Sequence, residues 1–185
     1  MGIKLDKTLW GWGINGNGNL GLNNVTAYSS PVQIGLLTNW RSLNAGAGGT
    51  FATKSDGTLW AWGNNSVGQL GDGTTIKRSS PVQIGSSSWT SVSAGRYHTT
   101  AIKSGGTLFT WGSNGQGQLG LGNTTNYSSP KQVGALTTWS NVFTISSRSS
   151  ASIKTDGTLW TWGDNGYGQL GTNNTSTYSS PVTTA

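Results

Sequence analysis

Residues 159–163 read Leu-Trp-Thr-Trp-Gly, and nearly the same five residues stand at 9–13, 59–63 and 108–112. The copies follow one another at intervals of 50, 49 and 51 residues. Each is followed by Asn-Leu-Gly or Gln-Leu-Gly and then by Ser-Ser-Pro. A period of about 50 residues is typical of propellers and solenoids, whose units stack on their neighbours because they cannot bury their own apolar faces. The sequence therefore predicts a repeat protein whose function lies on an assembled surface.

The composition contains features of both disordered and folded chains. Glycine accounts for 30 of the 185 residues, and serine, threonine and asparagine are also abundant, which is a bias typical of disorder. Ten tryptophans argue against disorder, because each aromatic side chain can bury about 150–250 Å². We therefore expect a turn-rich β protein whose small polar residues serve hairpins and tight connections.

The net charge of +6 is spread along the chain, with only Lys77 and Arg78 adjacent in sequence. Nucleic-acid-binding proteins usually concentrate basic residues on one face or helix, so we expect no nucleic-acid partner. The absence of cysteine from the sequence excludes disulfides and thiolate metal sites. No run approaches the roughly 18 apolar residues of a membrane span, and the first residues lack an apolar signal segment. We expect neither a span nor a cleaved signal.

The third unit divides most clearly into short strands. Alternating runs cover 89–95, 98–103 and 107–112, and a weaker run at 127–133 is interrupted by Pro130. Four short strands in every unit fit one four-stranded blade of a propeller.

The turn between the second and third strands has a recognisable sequence. Asp56-Gly57, Gly105-Gly106 and Asp156-Gly157 predict two-residue type I′ hairpins, which need positive φ angles. The first unit has Asp6-Lys7 instead. Lysine is disfavoured at positive φ, so we expect this hairpin to be looser or differently shaped.

In three of the four units two tryptophans stand at alternate positions of the third strand and so lie on one face of the blade, which predicts indoles stacked between blades. The two end units each carry such a pair. Trp10 and Trp12 in the first unit and Trp160 and Trp162 in the last are our candidate contacts for partners at the end faces.

The units resemble the repeat of the regulator of chromosome condensation family, the RCC1-like repeats. The resemblance rests on Leu-Trp-x-Trp-Gly, on the segment Val92 to Thr99, on Pro-Val-Gln-Ile at Pro31 and Pro81, and on Asn-x-x-Gly-Gln-Leu-Gly beginning at Asn65, Asn114 and Asn165. It covers essentially the whole chain as a single array of units at about 1–35, 36–85, 86–134 and 135–185.

The resemblance implies an all-β fold of RCC1-type propeller blades with no significant helix. Members of this family usually close a ring of seven blades. This chain has material for about three complete four-stranded blades and a partial first blade, because the first unit lacks one strand.

Residues capable of catalysis are few and are explained by the repeat. His98 is the single histidine in the sequence and occupies a strand position, while Asp56 and Asp156 belong to hairpin turns. We therefore predict no catalytic, cofactor-binding or metal site. A carboxylate pair formed by Asp72 and Asp164 is the alternative, although the two lie at different positions of their units.

The loops that differ between units are the better candidates for function, since propellers present their connections on two rims. Our candidate interaction residues are Lys77, Arg78, Arg96, Tyr97 and Arg148, whose side chains can anchor a protein or glycan. Ordinary loop variation is the alternative explanation.

We predict a non-enzymatic structural or interaction module that assembles with other chains or copies as a homo-oligomer or larger assembly and displays loops for protein or surface binding. The low charge and the small polar residues favour a virion or extracellular surface over a cytoplasmic or nuclear setting. A carbohydrate-binding propeller is the first alternative. Guanine-nucleotide exchange with chromatin binding, the activity of the eponymous family member, is the second.

Overall fold

The computed structural model describes residues 1–46 and 48–184, and its strands form four antiparallel sheets in chain order. The first sheet has three strands and each of the other three has four. The strands are β1 (Gly2–Ile3), β2 (Leu9–Gly13), β3 (Tyr28–Gln33), β4 (Trp40–Gly46), β5 (Gly49–Lys54), β6 (Leu59–Gly63), β7 (Arg78–Gln83), β8 (Trp89–Ala94), β9 (His98–Lys103), β10 (Leu108–Gly112), β11 (Tyr127–Gln132), β12 (Trp139–Thr144), β13 (Ser149–Lys154), β14 (Leu159–Gly163) and β15 (Tyr178–Thr183).

Each sheet is a simple meander in which sequence neighbours pair, as in β4-β5-β6-β7. The last strand of each sheet contains the Ser-Ser-Pro segment and pairs irregularly, as between Thr110 and Gly112 in the third sheet. Proline has no N–H to donate, so an edge strand with a bulge is where it is tolerated. The described residues contain no helix. The prediction of three complete four-stranded blades and a partial first blade is confirmed.

The hairpins between the second and third strands differ from the prediction. Lys54 N donates to the Thr58 carbonyl at 3.0 Å and Gly57 N to the Lys54 carbonyl at 2.9 Å. Gly57 has a φ of 83°, and no other described residue of the turn is in the positive region. This is a three-residue loop with one left-handed position, and the turn at Gly157 repeats it with a φ of 85°. The turn at 104–106 is also a three-residue loop, although both Gly105 and Gly106 have positive φ, 103° and 78°. The prediction of a two-residue type I′ turn is therefore wrong.

The first blade makes the same turn, so the prediction of a looser hairpin there is also wrong. Lys7 N donates to the Lys4 carbonyl at 2.9 Å, and Lys7 takes a φ of 64°. The Asp6 carboxylate accepts hydrogen bonds from both the amide and the hydroxyl of Thr8, which hold the turn and lower the pKa of Asp6.

The hydrophobic core lies between the blades. Leu9 and Ile34 of the first blade pack with Trp40, Ala52 and Trp62 of the second. An equivalent cluster joins the second blade to the third, and another joins the third to the fourth. A blade therefore owes its stability to its neighbours, as expected for a repeat array.

Each boundary between blades carries the same contact, here called the Trp junction. The indole of the second Trp of Leu-Trp-x-Trp-Gly covers the Gln-Leu-Gly or Asn-Leu-Gly segment of the preceding blade. Trp111 Nε1 donates to the Gln69 carbonyl at 2.9 Å, and the Thr99 hydroxyl donates to the same oxygen at 2.8 Å. The second Trp of the motif therefore lies between blades, as predicted, but the indoles do not stack on one another there. The contacts between indoles are edge-on and within one blade, as between Trp89 and Trp111.

The glycine of each Trp junction makes room for the indole. A Cβ built on Gly71 would lie 2.6 Å from Trp111 Nε1, so no larger residue fits. The other two junctions pair Trp62 with the Asn19 carbonyl at 2.9 Å and Trp162 with the Gln118 carbonyl at 2.8 Å.

Candidate interaction surface

The meander topology places two kinds of connection on the same edge of the propeller arc. The long connections within blades cover 14–27, 64–77, 113–126 and 164–177, and the short turns 95–97 and 145–148 lie beside them. Ser113 N donates to the Tyr97 carbonyl at 2.8 Å, and Asp164 N to the Arg148 carbonyl at 3.0 Å. We call this set of loops the loop rim.

A buried asparagine organises each long connection. In the second blade the Asn65 side-chain oxygen accepts from Leu70 N at 3.0 Å, and its amide nitrogen donates to the carbonyls of Thr74 and Ile76. The equivalent residues in the other blades are Asn15, Asn114 and Asn165, and all four are fully buried. The sequence pointed to Asn65, Asn114 and Asn165 only as part of a family motif, and Asn15 was missed. Their recurrence at one position in all four units was the signal that they have a structural role.

Of the candidate interaction residues, Arg78 is engaged within its own blade. Its Nε lies 2.7 Å from a carboxylate oxygen of Asp72, the one salt bridge among the described residues. Hydrogen bonds from Thr74 and Arg78 hold the pKa of Asp72 below its ordinary value despite partial burial. Arg78 therefore stabilises the loop, and the distant Asp164 forms no pair with Asp72.

The other four candidates also lie on the loop rim. Arg96 is exposed, and its guanidinium carbon lies 5.0 Å from the ring centre of the half-buried Tyr97. Arg148 is exposed in the neighbouring turn. Lys77 is exposed and donates to the side-chain oxygen of Asn17 in the preceding blade at 2.7 Å. In the described part of the chain none of these three cations is paired with a carboxylate.

The loop rim also exposes apolar side chains that sequence analysis did not single out. The exposed fractions are 88% for Ile14, 62% for Val25, 61% for Ile76 and 95% for Tyr167. Large exposed apolar and aromatic side chains are typical of protein-binding surfaces. Differences between units at these positions were the available signal.

The end-face candidates need correction. Trp162 is fully buried in the Trp junction with the third blade, so it cannot contact a partner. Trp160 is half-buried, edge-on to Trp139 and beneath the Lys154 ammonium at 3.6 Å. The alternation placed both indoles on one face, but that face is covered by the preceding blade.

At the other end of the arc the two candidates differ from each other. Trp10 is half-buried, with the Lys4 ammonium 3.6 Å from its ring centre. Trp12 is 42% exposed, although it occupies the position of the fully buried Trp62 and Trp111. Trp12 is therefore the one predicted end-face residue with an open indole.

The outer surface has a cleft at each boundary between blades. The first has a volume of about 410 Å³ and lies beside Trp40, Trp60 and Lys54. The Lys54 ammonium is 3.6 Å from the Trp60 ring centre, and burial lowers the pKa of Lys54. Clefts of about 380 Å³ occupy the other two boundaries. Because an equivalent cleft occurs at every boundary, we attribute the clefts to the packing of blades and not to a specific binding site.

Neither a metal cluster nor a membrane-spanning helix is found within 1–46 and 48–184. No group of three or more His, Cys, Asp or Glu side chains there could hold a metal ion. No helix there is long and apolar enough to cross a membrane.

His98 lies at the boundary between the third and fourth blades. The Ser150 hydroxyl donates to the Gln118 carbonyl at 2.9 Å, so it accepts the hydrogen of His98 Nε2, which lies 2.8 Å away. Complete burial disfavours the imidazolium and lowers the pKa of His98 to about 4. His98 is a neutral structural residue.

The burial of His98 predicts a loss of stability in mild acid. The unfolded chain takes up the proton near pH 6.5 and the folded chain only near pH 4. The neutral, buried His98 therefore makes its full contribution to the free energy of unfolding above pH 6.5. This contribution is lost as the pH falls towards 4, and the loss is about 3 kcal/mol. Urea unfolding of the wild type and of His98→Gln between pH 7.5 and 4 measures it. The variant should show a flatter profile, and parallel profiles would contradict the assignment.

Four blades joined by Trp junctions define the class of protein: the chain is an arc of a β-propeller built from repeats. It belongs to the regulator of chromosome condensation (RCC1) repeat family, whose model matches residues 6–53, 56–102, 105–147 and 156–184. A second RCC1 repeat model matches 40–69 and 89–118. Comparison with curated protein sequences finds no significant match.

Solved structures of RCC1-like proteins have the same fold. Human WBSCR16 aligns with a TM-score of 0.88 and 21% identity over 99% of this chain and 50% of its own. Yeast RCC1 (Prp20) in complex with Kap60 aligns with a TM-score of 0.82 and 18% identity, over 96% of this chain and 44% of its own. Prp20p from Saccharomyces cerevisiae aligns with a TM-score of 0.82 and 18% identity, over 99% of this chain and 47% of its own. The chain therefore spans about half the length of these proteins.

Proposed function

We propose that this chain is a non-enzymatic module that binds an acidic protein surface through its loop rim. The observation that carries the proposal is the placement of Lys77, Arg96 and Arg148 on one rim, exposed and without a carboxylate partner among the described residues. Unpaired surface cations attract and orient an oppositely charged partner. The exposed apolar side chains on the same rim supply area for burial.

The relatives support a role in protein binding. RCC1-like repeat proteins are generally binding or exchange-factor modules. Yeast RCC1 (Prp20) is bound to Kap60 in one structure, and Prp20p has binding properties towards Gsp1p and histones. A virion or extracellular setting stays a prediction from composition alone.

The alternatives have less support from the geometry. A carbohydrate-binding site needs an aromatic face open to a sugar ring. The Arg96 guanidinium covers one face of Tyr97, so the aromatic that such a site could use on this rim is Tyr167, which is 95% exposed. Guanine-nucleotide exchange is a property of the eponymous family member, and the experiment below tests this chain for it.

Site-specific photo-crosslinking tests the proposal. Benzoylphenylalanine replaces Tyr97 on the loop rim or, as the control, Lys7 in a hairpin turn on the opposite rim. We expect the Tyr97 probe to crosslink an acidic protein from cells that produce the chain, and the Lys7 probe to leave it uncaptured. Arg96→Glu with Arg148→Glu should abolish the crosslink, whereas Lys7→Glu with Lys131→Glu, which changes the net charge equally, should leave it intact.

Three results would contradict the proposal. Equal loss in both charge-reversal variants would show a nonspecific charge effect. Binding on a glycan array that Tyr97→Ala or Tyr167→Ala removes would favour the carbohydrate alternative. Accelerated nucleotide release from a small GTPase would favour exchange activity.

A further inference from the structure

One half of a Trp junction faces solvent at the fourth blade. Gly21, Gly71 and Gly120 are buried beneath the indole of the following blade, whereas Gly171 is exposed. The nearest atom to a Cβ built on Gly171 is Thr184 Cγ2 at 3.8 Å. Its φ of 67° nevertheless matches the 72°, 83° and 70° of the three buried glycines. The receiving surface thus has its junction shape without an indole on it.

A second contact repeats this pattern. The first glycine of Gly-Asn-Leu-Gly or Gly-Gln-Leu-Gly packs against the Ser-Ser-Pro strand of the next blade, where a built Cβ would lie 2.6 Å from a serine Cα. The three pairs are Gly18 with Ser79, Gly68 with Ser128 and Gly117 with Ser179. No atom of the described chain lies within 4 Å of a Cβ built on Gly168. We call the surface formed by Gly168, Gln169, Leu170 and Gly171 the socket.

The complementary half faces solvent at the first blade. Trp12 is 42% exposed, and Trp62, Trp111 and Trp162 at the same repeat position are 0% exposed. Ser29 is likewise exposed, whereas its counterparts Ser79, Ser128 and Ser179 are half-buried. The first blade therefore presents the two groups that the socket lacks.

We propose that the socket of one copy receives the Trp12 edge of a second copy, with Trp12 Nε1 donating to the Gln169 carbonyl. The two halves already meet three times within the chain, so a fourth junction between copies requires no new kind of contact. This proposal goes beyond binding at the loop rim and uses different faces. It also replaces Trp160 and Trp162 as the end-face contacts.

The two faces differ, so the association is head to tail, and such contacts close into a ring when the geometry permits. One copy covers 50% of the chain of human WBSCR16. Two copies together bring eight sheets, one more than the seven blades usual in the family and within the four to eight that propellers have. We expect a ring in which each copy fills the other's socket. The three internal junctions have a hydroxyl donor from Thr50, Thr99 or Ser150, and the short β1 has no counterpart. The junction between copies should therefore be weaker and dissociate on dilution.

Light scattering on the purified chain tests the proposal. We expect twice the 19.2 kDa of one chain at high concentration. Trp12→Ala and Gly171→Asn should each return the mass of one chain, because asparagine accepts positive φ and its side chain would occupy the socket. Gly115→Asn is the control, since a Cβ there meets no atom within 4 Å and the site is outside the socket. It should keep the mass of two chains.

Mixing the two monomeric variants distinguishes this contact from any symmetric one. The Gly171→Asn copy retains Trp12, and the Trp12→Ala copy retains the socket, so an equimolar mixture should regain the mass of two chains through one junction. Circular dichroism confirms that each variant is folded. A wild type with the mass of one chain at every concentration, a mass above two chains, or a mixture that stays monomeric would overturn the proposal.

Discussion

Replacing Trp111 by alanine is expected to destabilise the fold by about 4 kcal/mol, whereas the same change at Trp12 should cost less than about 1 kcal/mol. Both residues occupy the same position of the repeat. Trp111 is fully buried and donates to Gln69, and Trp12 is largely open. The difference therefore measures the worth of a Trp junction rather than of the residue type. Urea unfolding in the Gly171→Asn background measures it without interference from association.

Failure of the Trp111→Ala chain to fold at all agrees with this expectation if the Trp12→Ala chain still folds. Equal losses at both sites would contradict the account, because they would place the stability within the blades and not at their boundaries.

Replacing Asn65 by alanine is the second large effect, an expected loss of about 3 kcal/mol. The change leaves the buried amide of Leu70 and the carbonyls of Thr74 and Ile76 without the partner that now serves all three. Asn64→Ala is the matched control. Asn64 accepts one hydrogen bond of 3.3 Å, from the exposed Ser66 amide, and its loss should change stability by less than about 0.5 kcal/mol.

Urea unfolding gives the free energies, and limited proteolysis of residues 64–77 gives the local effect. We expect the Asn65 variant to be cleaved faster within this loop. Similar stabilities and cleavage rates for the two variants would show that Asn65 does not organise the loop rim.

The repeat made most of the fold predictable. The three Leu-Trp-x-Trp-Gly copies, the related Leu-Phe-Thr-Trp-Gly at 108–112 and the turn residues located the strands, and the alternation of aromatic residues identified the face between blades. Turn geometry was less accessible, because Asp-Gly occurs in both two-residue and three-residue hairpins. Lys7 shows that two hydrogen bonds from Thr8 to Asp6 can hold a residue in a conformation that its own preference opposes.

The candidate surface was only partly predictable. Sequence variation singled out residues that the structure places on one rim, but it did not reveal that Arg78 is paired with Asp72. Trp162 and Trp12 are identical in the repeat pattern and opposite in exposure. Periodicity assigns a side chain to a face of a strand, whereas exposure depends on what covers that face.

Hydrogen exchange of the indole N–H groups tests most directly the claim that Trp junctions hold the blades together. In the monomeric Gly171→Asn variant we predict slow exchange at Trp62, Trp111 and Trp162, whose Nε1 groups donate to carbonyls of the preceding blade, and fast exchange at Trp12. The wild type at high concentration should add Trp12 to the slow group. Exchange at Trp62, Trp111 and Trp162 as fast as at Trp12 in the monomer would contradict the account.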